Sequence, residues 1–525
     1  MKNQFKITFF TYSVTLTLTS ILIAIFCAAF FQGYFNPNFV AEYRSSAQLG
    51  TVLGFIKGIN PFQEEYVEEY GNLYSVLWPG AVYLIAKLFG LVSYNQIRLL
   101  MYALNAIIVT GTAAAAFYVA RRNKLNALLA LIIGFTYLLL NSTKISMGEF
   151  SYSAGLSCSF LALVLVSNKF DRSGLCMALA LITLASLFKT YFALLGIVIA
   201  FNSAAFLPLR SLISILCAWG VATAALFFGL TRVFPFYFDS ILMLVLPFGW
   251  DEPSVYLMHK LFQSRDARLI ASNIWWFLTH FGFIFILTFP QLVRFKRQAT
   301  EEKRRQMLYA AGSLIVCIYV LLVMLPYQGN FGTYLLHIIA PIILAYALSR
   351  SEEFAPELDR WTGQIAALGM CMVVFINPTF RSSPLQRWKE YGVLWRDDLR
   401  SNRNVLMEAT NVIRSSGAKE IYVDPVLAPL AIKSNLKFVD TGNRGLYEEY
   451  VNARRNGTLK LSPLISWLAA PKPGGTERPG VVWGADLVVC TRCPDERTHR
   501  FVRDLGVLTT AFNGPFVVKL YYKNE

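Results

Sequence analysis

Long apolar runs dominate the first 377 residues of the chain and then stop. A run of about 17 to 25 apolar residues can cross roughly 30 Å of hydrocarbon as an α-helix. Hydrophobic residues make up 55% of the whole chain and charged residues only 15%, a balance that the core of a water-soluble protein cannot absorb. The sequence therefore predicts a polytopic α-helical membrane domain over residues 1–377 and a separate domain over residues 378–525.

The apolar runs predict eleven transmembrane helices. The first run follows Lys2 and Lys6 as a signal peptide would, but it is long and lacks a small-residue cleavage site, so we interpret it as a retained span. The predicted spans cover residues 7–31, 97–120, 125–141, 151–167, 175–188, 191–207, 212–230, 271–290, 309–326, 333–349 and 362–377.

The apolar stretch 73–93 decides the topology, because counting it as a twelfth span would invert the orientation of everything after it. With eleven spans and the N-terminus inside, the inner loops carry 16 Lys and Arg residues, and the outer segments carry nine over more than twice the length. Positive residues favour the cytoplasmic side, so we interpret 73–93 as an amphipathic or re-entrant helix along the outer interface. We expect Tyr74, Trp78 and Tyr83 to lie in the outer headgroup zone. Loops 32–96 and 231–270 and the C-terminal domain then share the outer side.

The C-terminal residues predict a small extracytoplasmic α/β domain without a phosphate-binding glycine motif. Cys490 and Cys493 form an isolated Cys-x-x-Cys pair, so zinc is not expected and a local disulfide is the alternative in an oxidising compartment. The predicted elements are a helix at 401–415 and strands in "EIYVD" (420–424), "GADLVVC" (484–490) and "FVVKLYY" (516–522).

The net charge of +16 raises the question of nucleic-acid binding. The Lys and Arg residues cluster at the ends of apolar runs and do not form a basic face interleaved with aromatic residues. Charges in this arrangement orient membrane spans. The sequence therefore predicts membrane lipids as partners and no nucleic acid.

Acidic residues mark the first outer loop as a candidate site. Glu42 follows the first span closely, where desolvation raises the pKa of a carboxyl group toward the range of a general base; interfacial anchoring is the alternative. Glu64 and Glu65 begin the acidic helix face of "QEEYVEEY", which is typical either of a solvated surface or of a site for a cation or for sugar hydroxyls.

Cationic and aromatic residues occur at other predicted outer positions. Lys189 interrupts an apolar run in "SLFKTYFALL", and an ionisable group at such a depth is a functional candidate, with snorkelling to the interface as the alternative. Tyr334 and His337 lie in "YQGNFGTYLLHIIAP", which is either a substrate contact or an ordinary loop entering a span. The second outer loop offers further phosphate contacts at Arg232, Lys260, Arg265 and Arg268.

The opening of the chain resembles a known family. An acid after the first span is followed by Tyr43, by the Gly-x-Asn-Pro-aromatic turn at 58–62, by "YGNLYSVLWPGAVYLIAKLFG" and by "IRLLMYALNAIIV". This pattern resembles the GT-C membrane glycosyltransferases, among them the protein O-mannosyltransferases and the aminoarabinose transferases of lipid A. The resemblance is clearest over residues 1–200 and does not extend to the C-terminal domain.

The resemblance implies transfer of a sugar from a polyprenyl-phosphate donor to an acceptor hydroxyl on the outer face of the cell inner membrane. The acceptor would be a cell-envelope glycan, a glycolipid or a protein. Glu42 matches the first acid of the family, Glu149 in "KISMGEFSY" matches its second, and Tyr43 would contact substrate. The family often shows Asp-Glu where this chain has Ala41-Glu42, so we expect a single base, no catalytic metal and no cofactor.

Two other classes of membrane protein would have the same composition. A transporter or flippase would show internal repeats and broken helices at the midplane, and the sequence shows no repeat. A non-catalytic membrane scaffold with an outer binding domain leaves Glu42 and Lys189 without a role. The clustering of acids and cations at one membrane face favours an enzyme.

Overall fold

A computed structural model describes most of residues 1–377 and a few short segments of residues 378–525. The described residues are 11–21, 23–24, 43–63, 66, 76–145, 150–168, 171–239, 267–295, 300–321, 334–349, 356–376, 415, 417, 420–423, 437–440, 487–490, 505–508 and 519–523.

The described part of the chain is mainly α-helical. Residues 11–21 and 23–24 are helical, a 3₁₀ turn covers Thr190–Leu194 and a π turn covers Leu335–Ile339. The helices are α1 (Tyr43–Ile56), α2 (Leu77–Leu88), α3 (Tyr94–Arg122), α4 (Ala127–Ile145), α5 (Phe150–Asn168), α6 (Arg172–Phe188), α7 (Leu195–Ser203), α8 (Leu209–Val233), α9 (Ala267–Phe281), α10 (Ile284–Leu287), α11 (Phe289–Phe295), α12 (Thr300–Tyr319), α13 (Ala340–Ala347) and α14 (Pro356–Ile376).

Most of these helices overlap the apolar runs from which spans are predicted, whereas α1 and α2 lie between them. Within the described residues, α3, α5 and α8 are long and apolar enough to cross a membrane. The chain is therefore a helical protein with helices of transmembrane length and composition. The total of eleven spans remains a prediction.

Helix α3 shows how local sequence sets a boundary. Ser93 is its N-cap and forms a capping box with Gln96, in which each side chain accepts a hydrogen bond from the other residue's backbone N–H. These bonds satisfy N–H groups of the first turn that have no partner within the helix. At its other end Arg121 and Arg122 lie in the last turn, where positive charge complements the helix dipole.

Helix α2 lies within the topology-deciding stretch 73–93. Its 12 residues rise about 18 Å, and it ends near Gly90, whose positive φ of 65° suits a C-terminal glycine cap. Trp78 is not at a headgroup surface, because it is 2% exposed and packs against Phe150 and Phe188. Tyr83 is half-buried. The surface that α2 and the residues after it leave exposed is largely apolar, with Leu84, Leu88, Phe89 and Val92, and it also carries Lys87.

Helix α5 is the centre of the bundle. Nearly all of its side chains are buried, and it packs against α3, α6 and α13. Gly155 permits close packing, since a Cβ there would lie 2.6 Å from Phe192 Cε2. By contrast, α8 has just two buried residues, Leu212 and Thr231.

The end of the bundle at Asn168 is tied together by polar contacts. Arg294 and Asp359 form a buried ion pair with N···O 2.7 Å, and Arg305 pairs with Glu302 while donating to the Ser167 carbonyl at 2.8 Å. In the predicted topology this is the cytoplasmic end. The first contact joins α11 to α14, and the second joins α12 to α5.

Among the described residues of the C-terminal region, five strands form one sheet. They are β1 (Glu420–Val423), β2 (Lys437–Asp440), β3 (Leu487–Cys490), β4 (Leu505–Leu508) and β5 (Lys519–Lys523), in the order β2-β1-β3-β5-β4. The first three strands in that order are parallel, and β5 is antiparallel to both β3 and β4. β1, β3 and β5 overlap the three strands predicted from sequence, whereas the predicted helix at 401–415 lies outside the described residues except for Ser415.

Candidate functional site

Several segments that are distant in sequence meet at the end of the bundle where α5 begins. They are α1, α2, the first turn of α5, the 3₁₀ turn after α6 and the π turn before α13. In the predicted topology this is the outer end. Tyr152 lies in the first turn of α5, and Ser167 near its other end lies about 22 Å away along the helix axis.

A cluster of Tyr152, Tyr191, Tyr334 and His337 occupies this end and is called the Tyr–His cluster below. The Tyr191 hydroxyl lies 2.7 Å from His337 Nδ1. The rings of Tyr152 and His337 have centroids 3.5 Å apart, and Tyr191 meets Tyr334 edge to face at 5.3 Å. His337 is 1% exposed, so the imidazole is enclosed by its neighbours, several of them aromatic rings.

The backbone around His337 departs from a regular α-helix. The Ala340 N–H donates to the Leu335 carbonyl, five residues earlier, as in a π turn. Pro341 has no N–H and cannot donate to the His337 carbonyl four residues before it. A wide turn next to a proline accommodates this missing bond, and π turns are frequent at functional sites.

Lys189 lies at the junction of α6 and the 3₁₀ turn. Its backbone is extended, with φ −152° and ψ 118°, and the side chain is half-buried. The Lys189 N–H donates to the Ala185 carbonyl, and the Phe192 N–H donates to the Lys189 carbonyl. The turn that holds the lysine therefore also positions Tyr191, two residues later, against His337.

Helix α1 reaches the same end of α5. Gln48 donates through Nε2 to Ser151 Oγ at 2.7 Å, and both side chains are buried. Within the described residues, Gln48 Oε1 and the Tyr152 hydroxyl have no hydrogen-bond partner. Buried polar atoms of this kind are costly in a protein interior, and described residues at the other end of the bundle, such as Gln306, have them as well.

The Gly-x-Asn-Pro-aromatic turn joins the two loops that are predicted to lie outside. Asn60 donates through Nδ2 to the Val233 carbonyl at 2.8 Å, and the Phe236 N–H donates to the Phe62 carbonyl at 3.0 Å. The Phe62 ring packs edge to face on Tyr237, and burial raises the pKa of the Tyr237 hydroxyl. This turn holds the start of the second loop against the first.

The structure places some of the predicted site residues and not others. Tyr334 and His337 are together in the Tyr–His cluster, and Lys189 precedes Tyr191 by two residues. Arg232 is exposed at the end of α8, with its guanidinium 4.7 Å from the Phe228 ring centroid. Tyr43 lies in α1 and Arg268 lies in α9. The described residues do not include Glu42, Glu64, Glu65, Glu149, Lys260 or Arg265.

Sequence reasoning missed Tyr152, Tyr191 and Gln48. Tyr191 and Tyr152 lie within three residues of Lys189 and Glu149 along the chain, so the sequence places each of them near a candidate residue. Nothing in the sequence shows that residues 152, 191 and 337 are in contact, because they lie on three segments that are far apart along the chain. Tyr191 and His337 are 146 positions apart, and Tyr152 and His337 are 185 positions apart.

The arrangement combines a half-buried cation, an enclosed imidazole and tyrosine hydroxyls at one end of a helical bundle. Such groups can bind an anion such as a phosphate and orient hydroxyls. Among the described residues, no group of three or more His, Cys, Asp or Glu side chains could hold a metal ion.

Comparison with known proteins assigns no family, since no family model, curated protein or solved structure matches this chain. A functional assignment therefore depends on the residues and contacts described above.

Proposed function

We propose that the chain is an integral membrane glycosyltransferase. It moves a sugar from a polyprenyl-phosphate donor to a hydroxyl of a cell-envelope glycan or glycolipid, on the outer face of the cell inner membrane. In this proposal the N-terminus lies in the cytoplasm, and eleven spans then put residues 378–525 on the opposite side as a periplasmic α/β domain.

The observation that carries the proposal is the convergence at the outer end of α5. The first outer loop, the start of the second and the Lys189 turn all reach this end. Elements that the charge-based topology assigns to the outer side are thus in mutual contact around polar side chains. An asymmetric site at one membrane face suits a transferase better than it suits alternating access.

The proposed reaction needs a base and a phosphate site. Glu42 takes the proton of the acceptor hydroxyl while the hydroxyl oxygen attacks the anomeric carbon on the face opposite the phosphate. The bond between the anomeric carbon and the phosphate oxygen breaks, and Lys189 stabilises the charge that develops on the leaving phosphate. Glu149 directly precedes α5 in sequence and is the second candidate for the base.

The test is turnover by purified protein in nanodiscs supplied with a panel of polyprenyl-phosphate sugars and envelope glycolipid acceptors. Consumption of one donor, with release of free polyprenyl phosphate and a glycosylated acceptor, is expected. The same protein in sealed vesicles tests the rival, because movement of an intact lipid-linked sugar between leaflets without consumption would identify a flippase. Absence of both activities with every donor would favour the scaffold.

Orientation has its own test. A C-terminal alkaline phosphatase fusion should be active, because the enzyme depends on disulfides that form in an oxidising compartment. An inactive phosphatase fusion together with an active cytoplasmic reporter would refute both the topology and an outer active site.

A further inference from the structure

The contact between Tyr191 and His337 has a defined geometry, and its chemistry sets the position of a proton. Tyr191 approaches Nδ1 at 2.7 Å, while the Tyr152 ring covers the imidazole at a centroid distance of 3.5 Å. Phe192 stacks on Tyr152 at 6.2 Å and on His337 at 6.5 Å. The ring is therefore held in one orientation with Nδ1 on the tyrosine hydroxyl.

A neutral imidazole carries its proton on one nitrogen and accepts a hydrogen bond on the other. The phenol O–H is more acidic than an imidazole N–H, so the favoured hydrogen bond runs from the Tyr191 hydroxyl to His337 Nδ1. That bond leaves the ring proton on Nε2, because the hydrogen bond at one nitrogen sets which nitrogen is protonated.

We propose that Tyr191 is a positioning residue that fixes His337 in the tautomer protonated on Nε2, so that Nε2 donates a hydrogen bond to the phosphate of the polyprenyl donor. The phosphate role rests on the proposed function, whereas the tautomer does not. Lys189, two residues before Tyr191 on the same turn, would supply positive charge to the same phosphate. Imidazole and ammonium would then hold two oxygens of one phosphate.

The chain contains its own reference for the opposite tautomer. His280 Nδ1 lies 2.6 Å from the Trp276 carbonyl oxygen and 3.0 Å from the Thr279 hydroxyl, which is itself placed to donate to the Trp275 or Trp276 carbonyl. A carbonyl oxygen can only accept, so in neutral His280 the proton lies on Nδ1. His280 and His337 should therefore differ in the nitrogen that bears hydrogen.

Nitrogen NMR of the whole protein in nanodiscs tests this directly, because the chain has only four histidines. With ¹⁵N-labelled histidine, the signal lost in His337→Gln assigns His337, and the signal lost in His280→Gln assigns the reference. In the parent protein His337 should show a protonated Nε2 and an unprotonated Nδ1, with His280 reversed. The Tyr191→Phe variant should change the tautomer ratio of His337 by about 2- to 10-fold, the effect of losing one ordinary hydrogen bond.

A matched control removes a hydroxyl from another buried tyrosine. Tyr309 donates to the Ile342 carbonyl at 2.8 Å on the cytoplasmic side of the bundle, so Tyr309→Phe should leave the His337 signals unchanged. A protonated Nδ1 on His337 in the parent protein would overturn the proposal without any variant. An unchanged tautomer ratio in Tyr191→Phe would overturn it as well.

Undecaprenyl phosphate separates this inference from the proposed function. Its addition should shift the Nε2 signal of His337 and leave His280 in place. If His337 has the expected tautomer but its Nε2 signal does not respond, Tyr191 still positions the ring and the phosphate role of His337 is refuted. A response to inorganic phosphate of equal size would refute recognition of the lipid carrier and limit the site to the anion.

Discussion

Replacing Gly155 by alanine tests whether close packing between α5 and the Lys189 turn maintains the Tyr–His cluster. The new Cβ would lie 2.6 Å from Phe192 Cε2 and 3.2 Å from Phe188 Cβ. Phe192 is fully buried, so its ring cannot simply move into solvent. The 3₁₀ turn must shift, and Tyr191 must move with it.

The expected magnitude follows from two opposing effects. Inserting a methyl group into a packed core costs about 1 to 3 kcal/mol, and replacing a helical glycine by alanine gains about 1 kcal/mol. Gly111→Ala on α3 has only the second effect, because its new methyl group would meet no atom within 4 Å beyond its own stretch of helix. The difference between the two variants should therefore be about 1 to 3 kcal/mol.

The assay is thermal unfolding of both variants and the parent in the same nanodiscs, combined with the His337 nitrogen spectrum. Gly155→Ala should unfold at a lower temperature than Gly111→Ala and should perturb the His337 signals. Equal or greater stability of Gly155→Ala, with an unchanged His337 spectrum, would refute the reasoning that this contact positions the cluster.

Three further substitutions test the site and the bundle. Lys189→Ala should weaken undecaprenyl phosphate binding by about 1.5 to 3 kcal/mol, the contribution of a charge-assisted hydrogen bond. Lys87→Ala on the exposed face of α2 should leave that binding unchanged. Equal affinities of the two variants in a nanodisc titration would show that Lys189 is an interfacial anchor. Glu42→Gln should lower turnover about 10²- to 10⁴-fold while donor binding persists, and near-normal turnover by well-folded protein would make Glu149 the next candidate for the base. Asp359→Asn should destabilise the fold by about 3 to 5 kcal/mol because it leaves the buried Arg294 charge unpaired. An Asp359→Leu/Arg294→Met double variant has no unpaired charge and should be more stable in thermal unfolding; equal instability of the two variants would contradict this explanation.

Local sequence accounts for the elements of the fold. Run length and apolarity predict where helices occur because each helix satisfies its own backbone hydrogen bonds, and α3, α5 and α8 have the length and composition of spans. Runs of β-branched and aromatic residues predict β1, β3 and β5 because such side chains suit a pleated strand.

Burial of individual residues depends on the tertiary structure. The position of Trp78 shows this, since an aromatic residue near a predicted interface is commonly a headgroup anchor, yet Trp78 packs against Phe150 and Phe188. The sequence shows that α2 has apolar residues on several sides. Only the neighbouring helices decide which side is enclosed.

The same distinction applies to the candidate site. The sequence by itself determined that Lys189, Tyr334 and His337 lie at ends of apolar runs, because charge and hydropathy along the chain are local properties. It did not determine that Tyr191 would meet His337, since the two are 146 residues apart and touch only when α5 packs against the 3₁₀ and π turns. Contacts between distant segments depend on the packing of whole helices, which no local pattern records.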